Sequence, residues 1–144
     1  PAGVFSGGPL PDRVEAYYGR IYSRVLAIEA AIAVDNFFNG RSYSDNEDIG
    51  LSLKSYIDFV EGDSVSSKLS DEIDAQIAAS IESISSLNEI FVDQVNENNI
   101  EMLKTYDVIQ AGVVMLKVDM LQKLNISVDY VDADGDWFND EKYF

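Results

Sequence analysis

Gly112 to Asp136, GVVMLKVDMLQKLNISVDYVDADGD, contains the change of pattern on which the reading of this chain turns. Val113, Leu116, Met120 and Leu124 recur at spacings of three and four, so they share one face of a helix, while Val114, Lys117, Leu121 and Lys123 spread around the rest. That pattern predicts a buried or nearly buried helix. After Asn125 the period drops to two through Ile126, Val128 and Tyr130, and Asp132, Asp134 and Asp136 then alternate around Ala133 and Gly135. Carboxylates this close repel one another unless water or a cation screens them.

Working outward, the same helical period recurs upstream. Asn98 with Glu101 three residues later resembles a capping box, which predicts a final helix from about Asn99 to Leu124. A brief helical turn through Phe91, Val92 and Val95 precedes it, after an interruption at Ser85 to Asn88. From Ser64 the residues Leu69, Ile73, Ile77, Ile81 and Ile84 form a narrow apolar stripe, with Asp71, Glu72, Asp74 and Glu82 assigned to water. A short helix is expected around Leu51 to Val60, and Arg41 to Gly50 reads as a polar loop.

Before that loop, Val14, Tyr17, Tyr18, Ile21, Tyr22, Val25, Ile28 and Ile32 predict one long helix from Arg13 to Gly40, capped by Asp12. Its tyrosines read as core with their hydroxyls at the rim. Arg13, Arg20 and Arg24 lie on one side and are expected in surface ion pairs. The glycine- and proline-rich stretch 1–11 cannot hold a helix and reads as an irregular lead-in or linker. Together these elements predict an all-α fold, an antiparallel bundle of about four helices over 12–126, followed by an acidic and aromatic tail over 127–144.

Composition narrows the chemistry. The 144 residues include 26 acids and 10 bases, a net charge of −16, which argues against nucleic acid or anionic membrane surfaces as partners. There is neither Cys nor His. Disulfides, thiolate sites and the commonest general base are therefore excluded, and no serine in SVSSKLS or SISSL has an imidazole to activate it. No window is long and apolar enough to span a membrane. The start at Pro1 in place of Met is read as a processed or excised terminus, so any signal or membrane anchor would lie upstream.

Two acidic constellations were weighed as sites. With Gly135 at the sixth position of a calcium loop, Asp132, Asp134, Asp136 and Glu141 supply oxygen ligands for Ca²⁺, although Tyr130 stands where the first ligand belongs. The alternative is a solvated turn whose carboxylates cap local N–H groups. Asp107 and Asp119 on the last helix are candidate paired carboxylates. For Asp119, a structural pairing with Arg20 or Arg24 is the expectation ahead of catalysis.

The segments LKVDMLQKL, NISVDY and DADGD, in that order, resemble the closing signature of the imelysin-like family, also called insulin-cleaving metalloproteinases. PLPDRVEAYYGRIYSRVLAIEAAIAVDNFFNG and GLSLKSYIDFVEGDSVSSKLSDEIDAQIAASIESI extend the resemblance over most of the chain, matching only the C-terminal half of such a protein. It implies an extracytoplasmic, periplasmic or cell-surface bacterial protein of two helical-bundle halves, associated with iron uptake. The family's GxHxxE motif lies in the other half and has no counterpart here. The resemblance therefore implies a non-catalytic binding or scaffold module, partnered by the missing N-terminal half or another subunit. The competing expectations are a calcium-stabilised interaction module and a hydrolase half completed by another chain.

Overall fold

A computed structural model describes residues 1–42, 48–62 and 67–127 of the chain. The described residues are helical: α1 spans Ser23–Asn39, α2 Leu53–Glu61, α3 Leu69–Ser86, α4 Phe91–Val114 and the short α5 Met120–Lys123. No strand occurs among them beyond one antiparallel bridge between Arg41 and Ile49.

Helix α3 is central. Its stripe buries Ile73, Ile77 and Ile84, as the spacing predicts. Two apolar clusters form around it. Ile84 joins Leu87, Phe91, Val95 and Met102, with Ala27 and Ala31 of α1 packed against them. Ile73 and Ile77 join Phe38, Ile57 and Met120. The start of α1 thus lies beside the end of α3, and its end beside the start of α3, so the two run antiparallel. Helix α4 also opposes α3: the hydroxyls of Ser83 and Thr105 meet at 2.9 Å, and Gln76 Nε2 donates to the Val108 carbonyl at 2.7 Å.

Local chemistry sets the ends. Ser52 and Ser55 form a reciprocal capping box at the start of α2. The Glu61 carboxylate accepts from Leu69 N at 3.1 Å, serving an otherwise unpaired donor in the first turn of α3, and also meets Lys123 Nζ at 3.0 Å. Asn98, read as a helix start, has non-helical torsions (φ −149°, ψ 69°), and α4 runs across it with a kink. The buried Gln94 side chain holds that kink by accepting from Asn88 N and donating to the Asn98 carbonyl, each at 2.7 Å. Between α4 and α5, Met115–Asp119 widens into a π-turn. The extra residue rotates the face, so Leu116, Met120 and Leu124 reach the second cluster while Val113 drops out of it.

The first predicted helix is corrected. Arg13 to Tyr22 does not form an α-helix; 3₁₀ turns at Pro11–Arg13 and Arg20–Tyr22 occupy it, and α1 begins only at Ser23. Ala16 and Arg20 take positive φ (50° and 31°), which an α-helix of L-residues does not accommodate. The fully buried Ser23 hydroxyl makes 2.8 Å bonds with the carbonyls of Glu15 and Arg20 and draws the turn back onto the helix. Asp12 consequently sits inside a 3₁₀ turn and caps nothing. Tyr18 and Tyr22 are exposed, not core.

The lead-in is folded as well. Ala2 is buried in the first cluster, Leu10 N donates to the Pro1 carbonyl at 2.7 Å, and Asn99 Nδ2 donates to the Ala2 carbonyl at 2.8 Å. Gly3 permits this loop. Its φ is +99°, and a Cβ there would stand 2.6 Å from the carbonyl carbon of Gly8.

Candidate functional site

The folded lead-in roofs an apolar pocket of about 460 Å³. Its walls come from four parts of the chain: Phe5 from the loop, Ala27 from α1, Ile84 from α3, and Met102, Tyr106 and Ile109 from α4. Phe5 packs edge-on against Tyr106, with ring centroids 6.3 Å apart. Among the described residues no charged side chain lines the pocket. The Tyr106 hydroxyl accepts from Gln110 Nε2 at 3.0 Å, which leaves its own proton to donate. Volume and lining match what small-molecule sites require, roughly 300–1,000 Å³ of mostly apolar wall with few polar groups.

At the opposite end, a polar network ties α1, α2 and α3 together. Asn39 Nδ2 donates to Asp74 at 2.7 Å, Lys54 bonds Asp74 and reaches Asp71 at 3.3 Å, and Arg41 bonds Asp35. Asp74 was expected to face water; it is instead the half-buried hub of this network. Desolvation alone would raise its pKa, but hydrogen bonds from Lys54 and Asn39 and the charges of Lys54 and Arg41 outweigh that and hold it below the ordinary 3.8. Burial likewise opposes charge on Lys54, and its bonds to Asp74 and Asp71 prevail, raising it above 10.5.

The sign follows from linkage. A carboxyl with a lowered folded pKa contributes stability above its unfolded pKa and loses that contribution as pH falls through the folded value. Asp74→Ala is therefore expected to cost about 1–2 kcal/mol near neutral pH. The difference from the parent chain should shrink as pH drops below 3.8. Urea midpoints of both proteins across the acid range check this; a gap that stays constant with pH would contradict the assignment.

The other sequence candidates separate. Arg20 pairs with Asp93 through two bonds at 2.9 and 3.1 Å, Arg24 donates to the Leu87 carbonyl at 2.8 Å, and Arg13 approaches Asp12 at 3.7 Å. Neither Arg20 nor Arg24 is the partner of Asp119. That residue is exposed on the π-turn and borders an open polar notch with Glu61, Glu72 and Lys123, far along the helix from the exposed Asp107. The two carboxylates are not brought together. Asp132, Asp134, Asp136 and Glu141 lie outside the described residues, as does the rest of the tail from 128. Among the described residues, no group of three or more His, Cys, Asp and Glu is placed to hold a metal ion.

An exposed apolar stripe on α1 is not marked by the sequence pattern alone. Tyr22, Leu26, Ala30, Ala33 and Phe37 run along the outward side of α1, all exposed, with Glu29 as the one charge among them. The helix is apolar on most of its circumference, which is the composition of a buried helix. Sequence periodicity shows that the apolar residues of α1 exceed one face, not which of them point outward. No helix among the described residues is long and apolar enough to cross a membrane. No family model, no curated protein and no solved structure matches the chain.

Proposed function

We propose that this chain is the non-catalytic half of an imelysin-like extracytoplasmic bacterial protein associated with iron uptake, working as a binding and scaffold module. The order of the resembling segments supports the family, and a sequence without His or Cys supports the absence of hydrolytic chemistry in these residues. The observation that carries the module reading is the outward face of α1. Contiguous exposed apolar surface on a helix marks an interaction site. The occupant is the family's N-terminal helical half or a subunit like it, presenting an apolar helix face. With a net charge of −16 on this chain and Glu29 set in the face, a basic residue on the partner opposite Glu29 completes the contact.

The test is co-expression with the helical segment encoded upstream of Pro1, followed by affinity capture. The segment is expected to co-purify with the parent chain. Leu26→Asp combined with Phe37→Asp should weaken capture at least 100-fold with an unchanged circular dichroism spectrum, since hot-spot side chains each contribute about 2 kcal/mol or more. Capture indifferent to both charges, or an upstream reading frame with no histidine-bearing helical half, defeats the proposal. The calcium-stabilised alternative makes a separate demand: a melting temperature that rises with Ca²⁺ and ceases to do so in Asp134→Ala with Asp136→Ala.

A further inference from the structure

We propose that the pocket beneath the lead-in is a binding site for a small neutral apolar molecule carrying one hydrogen-bond acceptor. This inference is independent of the partner reading, because of the residues on the outward face of α1 none lines the pocket.

Three observations carry it. First, the hollow is bounded by a loop whose shape is fixed. The loop that roofs it is pinned at both ends, by Leu10 N on the Pro1 carbonyl and by Asn99 on the Ala2 carbonyl, and it turns at a position only glycine can fill. This half-open hollow of about 460 Å³ presents apolar wall to solvent, and an apolar guest removes that wall from water. Second, the lining selects against charge. Among the described residues no charged side chain lines it, so a carboxylate placed there would meet only the exposed amino terminus of Pro1 and would lose most of its hydration with little in return. Third, there is one oriented polar group. Tyr106 accepts from Gln110 and packs at nearly a right angle to Phe5, and its hydroxyl proton remains available to donate to an acceptor on the guest. Thr105 also lines the pocket, but its hydroxyl is engaged with Ser83.

Phe5 lines the rim of the pocket. It is 70% exposed although its ring touches Tyr106, so it sits at the mouth rather than in the core.

The probe is prodan, a neutral naphthalene with a carbonyl acceptor whose emission shifts to the blue in apolar surroundings. Titrated with the purified chain, it should show a saturable, one-to-one blue shift. Tyr106→Phe keeps the ring and removes the donor, and should weaken binding about five- to tenfold. Ile109→Trp fills the mouth from α4 and should abolish the shift, with the unfolding midpoint reported alongside. Should that variant fold poorly, Tyr106→Phe still decides the matter. Octanol should displace the dye at lower concentration than octanoate. Phe37→Asp, on the outward face of α1, should leave the titration unchanged. The proposal is overturned by no saturable shift, by equal displacement with octanoate, by binding indifferent to Tyr106→Phe, or by loss of binding in Phe37→Asp.

Discussion

Phe38→Ala is expected to lower the folding free energy by about 3–5 kcal/mol, a large part of the roughly 5–15 kcal/mol that a domain usually has. Phe38 is 1% exposed at the last turn of α1 and meets Ile57 of α2, Ile73 and Ile77 of α3, and Met120 of α5. Three other helices converge on one ring. When a residue contacts a single neighbour, the neighbour can slide into the space it leaves; here each wall is fixed by a different helix, so the cavity stays open and its full cost is felt. Urea denaturation followed by circular dichroism should show the loss as a lower midpoint at constant slope. The adjacent Phe37 supplies the control. It is 73% exposed, and Phe37→Ala should stay within about 0.5 kcal/mol. Equal losses at the two positions would mean that α1 is rotated from the orientation described.

That pair also shows what periodicity can and cannot tell. Along α3, isoleucines three and four apart define one face, and the same residues are buried. The helical character of the last segment was legible for the same reason, but the capping box expected at Asn98 and Glu101 does not form: α4 begins at Phe91 and only kinks at Asn98, and Glu101 pairs with Lys104 instead. Along α1 the apolar residues exceed one face, so spacing alone could not say that Phe38 points inward and Phe37 outward. Tyr17, Tyr18, Ile21 and Tyr22 carried the helical repeat too, yet positive φ at Ala16 and Arg20 ends it, and neither residue type advertises that torsion.

The candidate sites were less legible than the fold, because they are made by contacts between distant residues. Asp74 meets Asn39 from 35 positions away and Lys54 from 20, and nothing in the α3 stripe distinguishes it from the exposed Asp71. The pocket was hidden by composition. Gly3, Gly7 and Gly8 beside Pro9 and Pro11 read as a linker, whereas Val4, Phe5 and Leu10 among them are the apolar residues that such a loop lays over a groove. The π-turn left no mark at all: its residues are ordinary helix formers, and the extra one is accommodated so that Met120 and Leu124 both reach the second cluster.

Gly40→Ala is expected to cost about 2–4 kcal/mol, and the manner of its failure separates two causes that are usually confounded. Gly40 closes α1 in the left-handed region (φ 71°, ψ 27°), with its N–H on the Phe37 carbonyl at 3.3 Å and the N–H of Arg41 on the Asn36 carbonyl at 2.8 Å, the Schellman arrangement. Torsion alone would admit asparagine there. Space does not, because any Cβ would stand 2.8 Å from the Gly50 carbonyl oxygen and 3.0 Å from that of Leu51. These are backbone atoms, held by the bond from Gly50 N to the Gly40 carbonyl at 2.9 Å, so they cannot step aside without opening the loop that leads into α2. Gly40→Asn should therefore recover little, remaining within about 0.5 kcal/mol of the alanine variant. Gly62 presents the converse. No described residue lies within 4 Å of a Cβ built there, but φ 70° with ψ −172° is a region that essentially only glycine enters, so Gly62→Ala should cost about 1–3 kcal/mol, chiefly through strain. If Gly40→Asn instead regained most of the loss, the close approach of the two loop strands would not be what fixes the end of α1. The network of Asp35, Asn39 and Arg41, which depends on that end, would then need another anchor.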